Sequence, residues 1–101
     1  MTDAEATDAE NDDAGSERDD VSAPTATTVL EYVVKALVED PDAVDVELDD
    51  RGRRPVLNVH VGDGDMGRVI GKRGRVAQSI RTVVRAAAVR DGLELDVEFV
   101  D

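Results

Sequence analysis

The residues whose types and spacing could do chemistry are concentrated in one stretch, Val69-Ile70-Gly71-Lys72-Arg73-Gly74-Arg75. Glycine at each end of a short span opens backbone conformations closed to other residues and lets a second backbone come close. Apolar periodicity resumes at Val76, which predicts a helix starting directly after Gly74. The unpaired N–H groups and positive dipole end of that helix would then face whatever sits on the loop. Lys72 and Arg73 add flexible cationic donors. A phosphodiester suits that environment; a plain helix–helix connector with solvated bases is the bland alternative.

Other constellations fail on chemistry. Gly62-Asp63-Gly64-Asp65-Met66-Gly67 has the spacing of a dinucleotide fingerprint. Asp63 and Asp65, however, would set carboxylates beside a pyrophosphate, and the chain is too short for the sheet that motif needs. A phosphate-binding P-loop is excluded because Met66 stands where its first glycine belongs and Arg73 where its metal-binding hydroxyl belongs. His60, the single histidine, has no cysteine, second histidine or serine beside it in a triad or metal pattern. No nucleophile–base pair or calcium loop accompanies the acids. The expectation is a protein that is not an enzyme and takes no cofactor, metal or small-molecule substrate.

Charge is unevenly spread. The formal net charge is −12. Residues 1–24 hold nine acids against one base, Arg18, with no aromatic residue and a single large aliphatic, Val21. Such a stretch buries too little apolar surface to offset the roughly 1–2 kcal/mol per residue that ordering a backbone costs. A disordered acidic arm is expected over residues 1–24, with one domain over 25–101. That domain carries 15 acids and 11 bases, yet Met66–Arg90 holds seven bases (Arg68, Lys72, Arg73, Arg75, Arg81, Arg85, Arg90) and no acid. Local field, not the sum, decides whether a polyanion is attracted. Without cysteine there are no disulfides. No apolar run reaches the ~20 residues of a membrane span. A cytoplasmic protein without a membrane role is expected.

The elements that must position the loop follow from periodicity. Leu30, Val33, Val34, Leu37 and Val38 recur at helical spacing over Thr27–Glu39, with Thr27 or Thr28 as cap and Asp40-Pro41 as the end. Val44, Val46 and Leu48 alternate with acids, and Leu57, Val59 and Val61 alternate with Asn58 and His60, giving two strands joined by a turn. Met66–Ile70 has the length of a short helix. Arg75 to about Arg90 is a long one with Val76, Ile80, Val83, Val84 and Ala87 as its buried stripe and Gly92 as its cap. Leu93, Leu95, Val97 and Phe99 alternate in a last strand. The order α-β-β-α-α-β predicts an α+β fold: a three-stranded mixed sheet with helices on one face, its second and third strands parallel neighbours. Parity puts Asp45, Glu47, Asp49, Glu94, Asp96 and Glu98 on the sheet's open face, so a polyanion should approach the helical layer instead. Arg81 and Arg85, one turn apart, either extend the basic path or simply solvate the helix.

The block Met66–Arg75, continuing through Ile80–Ala88, together with the Leu30–Val38 helix and its Asp40-Pro41 ending, resembles the small bacterial KH proteins of the KhpA (YlqC) family across roughly residues 27–101. The resemblance implies a single type II KH domain that binds single-stranded RNA. It also implies pairing, as a homodimer or as a heterodimer with a larger KH protein of the KhpB (Jag/EloR) type, in post-transcriptional control linked in some bacteria to cell elongation and shape. Carried onto this sequence, Gly71, Lys72, Arg73 and Gly74 would clamp the RNA backbone. Ile70 and Val69 would floor the groove, and Arg68 and Arg75 would flank it. The acidic arm lies outside the family pattern. A KH fold that chiefly dimerises, with little RNA binding of its own, is the alternative.

Overall fold

A computed structural model describes residues 21–100. Its elements are helix α1 (Pro24–Leu37), strands β1 (Asp45–Asp49) and β2 (Val56–His60), helices α2 (Met66–Ile70) and α3 (Arg75–Arg90), and strand β3 (Asp96–Phe99). The short turns Pro41–Ala43 and Lys72–Gly74 join them. Residues 1–20, most of the expected arm, lie outside the described residues. Ala23 is buried and Pro24 opens α1, so the folded part begins before residue 25.

α1 starts earlier than its threonines suggest. Pro24 takes the first helical turn, where its missing N–H costs nothing. Thr27 and Thr28 therefore lie inside the helix and do not cap it. The capping acceptor comes from the far end of the chain. The Asp91 carboxylate accepts the N–H of Thr25 at 3.0 Å and of Ala26 at 2.9 Å. Burial pushes that carboxyl up, but the two N–H groups and the Thr25 hydroxyl outweigh it and hold it below the usual carboxylate range. At the other end α1 stops at Leu37 and not at Glu39, because Val38 is already extended.

The sheet follows the expected pattern. β1 runs antiparallel to β2, with Val46 opposite Val59 and Leu48 opposite Leu57. β2 runs parallel to β3, with Leu57 opposite Val97. Leu57, Val59, Leu95 and Val97 are fully buried, while Asp45, Glu47, Glu94 and Glu98 stand exposed on the other face. One core joins Leu30 and Val34 of α1, the strand residues, Val69 of α2, and Ile80 and Val84 of α3. Burying each such side chain stabilises the fold by roughly 1.5–3 kcal/mol.

The α3 stripe is rotated from the one expected. Ala77, Ile80, Val84 and Ala88 face inward, whereas Val83 is 49% exposed and Val76 and Ala87 are half-buried. Hydropathy favours valine over alanine, but α3 packs extensively against α1, where small side chains let backbones approach. Gly92 closes the helix as expected, at φ +74°. Leu93 N–H bonds to Ala88 O and Gly92 N–H to Val89 O, both at 3.0 Å, which is the Schellman pattern.

Candidate nucleic-acid interface

α2 is only five residues long, and Gly71 ends it at φ +76°. A Cβ at Gly71 would overlap the Val76 side chain, lying 2.7 Å from its Cβ. Two independent constraints, backbone conformation and space, thus require glycine there. Gly74 is different. Its φ is +73°, but nothing lies within 4 Å of where a Cβ would point. The loop is therefore packed on the Gly71 side and open on the Gly74 side, directly at the start of α3. Arg73 between them is also left-handed, at φ +57° and ψ +26°, which costs a non-glycine residue about 1–2 kcal/mol.

The cations around the loop fall into two sets. Lys72, Arg73 and Arg75 are exposed and have no ion-pair partner among the described residues. Arg68 is committed: its Nε lies 3.1 Å from Asp65 Oδ1 and its Nη2 3.2 Å from Glu39 Oε2. Ile70 is half-buried beside the loop, but Val69 is fully buried and belongs to the core. Of the eight residues expected at the site, Ile70, Gly71, Lys72, Arg73, Gly74 and Arg75 come together. Val69 has no surface to offer a base, and Arg68 braces the fold.

Sequence reasoning missed Asp65, which it weighed only as a carboxylate in the rejected dinucleotide fingerprint. This carboxylate is 2% exposed, and it occupies the cap position of α2 without capping it. Instead it accepts the N–H of Glu39 and of Asp40, each at 3.1 Å, and the Arg68 guanidinium. The Glu39 N–H is the main cause holding its carboxyl below the usual range; burial opposes, and the Asp40 N–H and Arg68 assist. Asp65 ties the entry of α2 to the exit of α1, and so fixes where the loop stands. The available signal was an aspartate immediately before a helix with two glycines upstream.

Arg81 and Arg85 turn toward β3. Arg81 Nε donates to Val97 O at 3.2 Å, and Arg85 Nη2 lies 3.1 Å from Asp96 Oδ1. They line a seam between α3 and the edge of the sheet. His60 is half-buried opposite Asp45. Among the described residues no group of His, Cys, Asp or Glu side chains could hold a metal ion, and no helix is long and apolar enough to cross a membrane.

Known proteins resemble this chain in sequence and in fold. A family model described as KhpA/KhpB, KH domain matches residues 27–99. The RNA-binding protein KhpA of Caldanaerobacter subterraneus subsp. tengcongensis is 42% identical over 72 residues, covering 71% of this chain and 96% of that protein. Its namesake in Leifsonia xyli subsp. xyli is 46% identical over 72 residues, covering 71% and 92%. That of Borreliella burgdorferi is 33% identical over 73 residues, covering 72% and 89%. Among solved structures, an Aquifex aeolicus Era variant bound to GDP.AlF4- gives a TM-score of 0.56 at 16% identity, over 98% of this chain and 36% of that one. Era in complex with MgGDPNP and nucleotides of 16S ribosomal RNA gives 0.56 at 17% identity, over 86% and 34%. At such identities the likeness to Era shows the fold alone, and the chain spans about a third of each Era chain. The sequence relatives carry the name of RNA-binding proteins, and their family is not an enzymatic one. The chain belongs to the KhpA/KhpB family of KH-domain proteins.

Proposed function

We propose that this chain binds single-stranded RNA and grips its sugar-phosphate backbone with Gly71-Lys72-Arg73-Gly74, acting in the cytoplasm as a post-transcriptional regulator or RNA chaperone. The observation that carries this reading is the open corner at Gly74. Empty space lies over a left-handed glycine at a helix start, ringed by Lys72, Arg73 and Arg75 with their charges unspent among the described residues. The family's RNA-binding names agree with it. Two to four phosphate contacts give a log–log salt slope of about −1.4 to −2.8 on single strands.

Gly74→Asp tests the reading cleanly. Aspartate tolerates a left-handed backbone better than most residues, meets no neighbour at this position, and sets a negative charge where phosphate would sit. Affinity for a short single-stranded RNA should fall on the order of a hundredfold or more, with the circular-dichroism spectrum unchanged. Undiminished binding by the folded variant would exclude the loop as the grip.

A second reading, pairing through the helical layer, has its own observation. Tyr32 is 76% exposed, Val89 73%, Val83 49% and Leu37 39%, all on helices in a chain with few large apolar side chains to spare. Homodimerisation, or pairing with a larger KhpB-type protein, would cover such residues. Sedimentation of wild type and Val83→Asp distinguishes the cases: a dimer that the substitution dissociates supports pairing, and a monomeric wild type mixed with no partner protein opposes self-association.

A further inference from the structure

The sheet has two edges, and β1 forms the one opposite β3. Asp96 N–H bonds to Pro55 O at 3.0 Å and Val100 N–H to Val59 O at 2.9 Å, so odd-numbered positions along β2 turn their backbone groups toward β3. Val56, Asn58 and His60 turn theirs toward β1, where they meet Asp49, Glu47 and Asp45. Val46 and Leu48 are left with N–H and C=O groups directed outward. No other backbone group bonds to them there among the described residues.

Side chains alternate along the same strand. Those of Val46 and Leu48 are half-buried and pack against the core. With Val21, Ala23 and Thr28 at the start of α1 they line a groove of about 450 Å³. Those of Asp45 and Glu47 stand exposed on the open sheet face. Glu39–Asp50 holds seven acids and no base. Asp49 is paired with Arg51, but Asp45 and Glu47 have no ion-pair partner among the described residues.

Three features therefore coincide on one edge: unpaired backbone groups, an apolar groove on one side of them and unneutralised carboxylates on the other. An added strand would use all three. A second copy is a poor occupant, because β1 against β1 sets acids directly opposite acids. Residues 1–20, with nine acids to one base, meet the same repulsion, although they join the fold at Val21 on the groove.

We infer that the outer edge of β1 is a docking site for an extended segment of a partner protein in which basic and apolar residues alternate. Its apolar side chains enter the groove beside Val46 and Leu48, its basic ones meet Asp45 and Glu47, and its backbone extends the ladder. The acids that keep copies of this chain apart are the ones that admit a basic strand. This surface is separate from the loop and does not depend on the RNA reading.

The probe is a short synthetic peptide of alternating lysine and valine, with an alternating glutamate–valine peptide as its counterpart. Added to the isotope-labelled full chain, the lysine peptide should slow amide exchange at Val46 and Leu48 roughly tenfold or more at saturation. At low salt it should bind at least about tenfold more tightly than the glutamate peptide. Val46→Pro removes one outward donor and leaves the bonds to β2 in place, a change that edge strands accept. It should lose the lysine peptide with its circular-dichroism spectrum unchanged. Glu47→Lys, at an exposed position, should cut the preference between the peptides at least about threefold even if Val46→Pro folds poorly. Equal binding of the two peptides, unmoved exchange at Val46 and Leu48, or full lysine-peptide affinity in either folded variant overturns the site. Protection of those two amides in the chain alone would assign the edge to a second copy or to residues 1–20, and overturns it equally.

Discussion

The loop and the seam hold the same kind of charge in opposite states. At the loop, Lys72, Arg73 and Arg75 have no ion-pair partner among the described residues; on the seam, Arg81 and Arg85 are tied to Val97 and Asp96. The contrast extends to Arg68, pinned by Asp65 and Glu39 one turn before the loop. Seven bases in one acid-free stretch are not seven available charges. Those that already have partners build shape, and those without attract a polyanion from a distance.

The sharpest way to break this comparison lies in the two loop glycines. Gly71→Ala would strain a positive φ and force the Val76 side chain aside, which together should cost about 2–5 kcal/mol. Gly74→Ala carries only the backbone penalty, about 1–2 kcal/mol. Chemical denaturation of both variants reads the difference. Equal losses would mean that the close packing under Gly71 is not what fixes the loop.

Next in size is the buried carboxylate. Asp65→Asn keeps the shape but weakens the acceptor for Glu39, Asp40 and Arg68, and the melting temperature should fall by several degrees. The sign of the pH effect follows from the lowered carboxyls of Asp65 and Asp91. A carboxyl whose folded pKa is depressed contributes stability above its unfolded value of about 3.9, and that contribution is lost as pH falls through the folded value. Wild type should therefore lose stability below about pH 4, and Asp65→Asn and Asp91→Asn should each show a flatter acid limb. Parallel limbs would remove Asp65 and Asp91 as the acid-sensitive joints.

What was legible in the sequence was whatever depends on near neighbours. Gly71 and Gly92 bounded α2 and α3, alternation set the sheet's inner and outer faces, and crossover logic made β2 and β3 parallel. The glycine-bounded corner could be read directly. What could not be read was set by partners far along the chain. Asp91 caps α1 from 65 and 66 residues away, so local reading assigned the cap to threonines inside the helix. Asp65 acts across 25 and 26 residues. The α3 stripe was misplaced because hydropathy ranks Val83 above Ala77 and Ala88, while helix–helix distance ranks them the other way. Val69 was assigned to the groove because residues adjacent on a helix point in different directions, and only the packed structure shows which one the core takes.

The cations themselves should separate by salt dependence. Lys72→Ala and Arg73→Ala should each weaken RNA binding and make the salt slope shallower by about 0.7, with little change in melting temperature. Arg68→Ala should do the reverse, lowering the melting temperature by a few degrees and leaving the slope alone. A shallower slope for Arg68→Ala would place it on the RNA after all.

The smallest effect expected is that of the acidic arm. Residues 1–20 hold nine acids against one base, and they join the fold at the start of α1, which Asp91 holds against the far end of α3. The loop is at the opposite end of that helix, about 24 Å away. Twenty residues of unstructured chain would span about 25 Å, so acids on such an arm would reach Lys72, Arg73 and Arg75, but only at the modest effective concentration of a long tether. Deleting residues 1–20 should therefore tighten RNA binding at low salt by a factor on the order of two to five, and the gain should fade as screening shortens below about 10 Å. Because Asp91 and not the arm caps α1, the melting temperature should stay where it is. Affinity that is unchanged or weaker at low salt would mean that the arm does not compete for the loop, and that the charges left unspent there meet RNA unopposed.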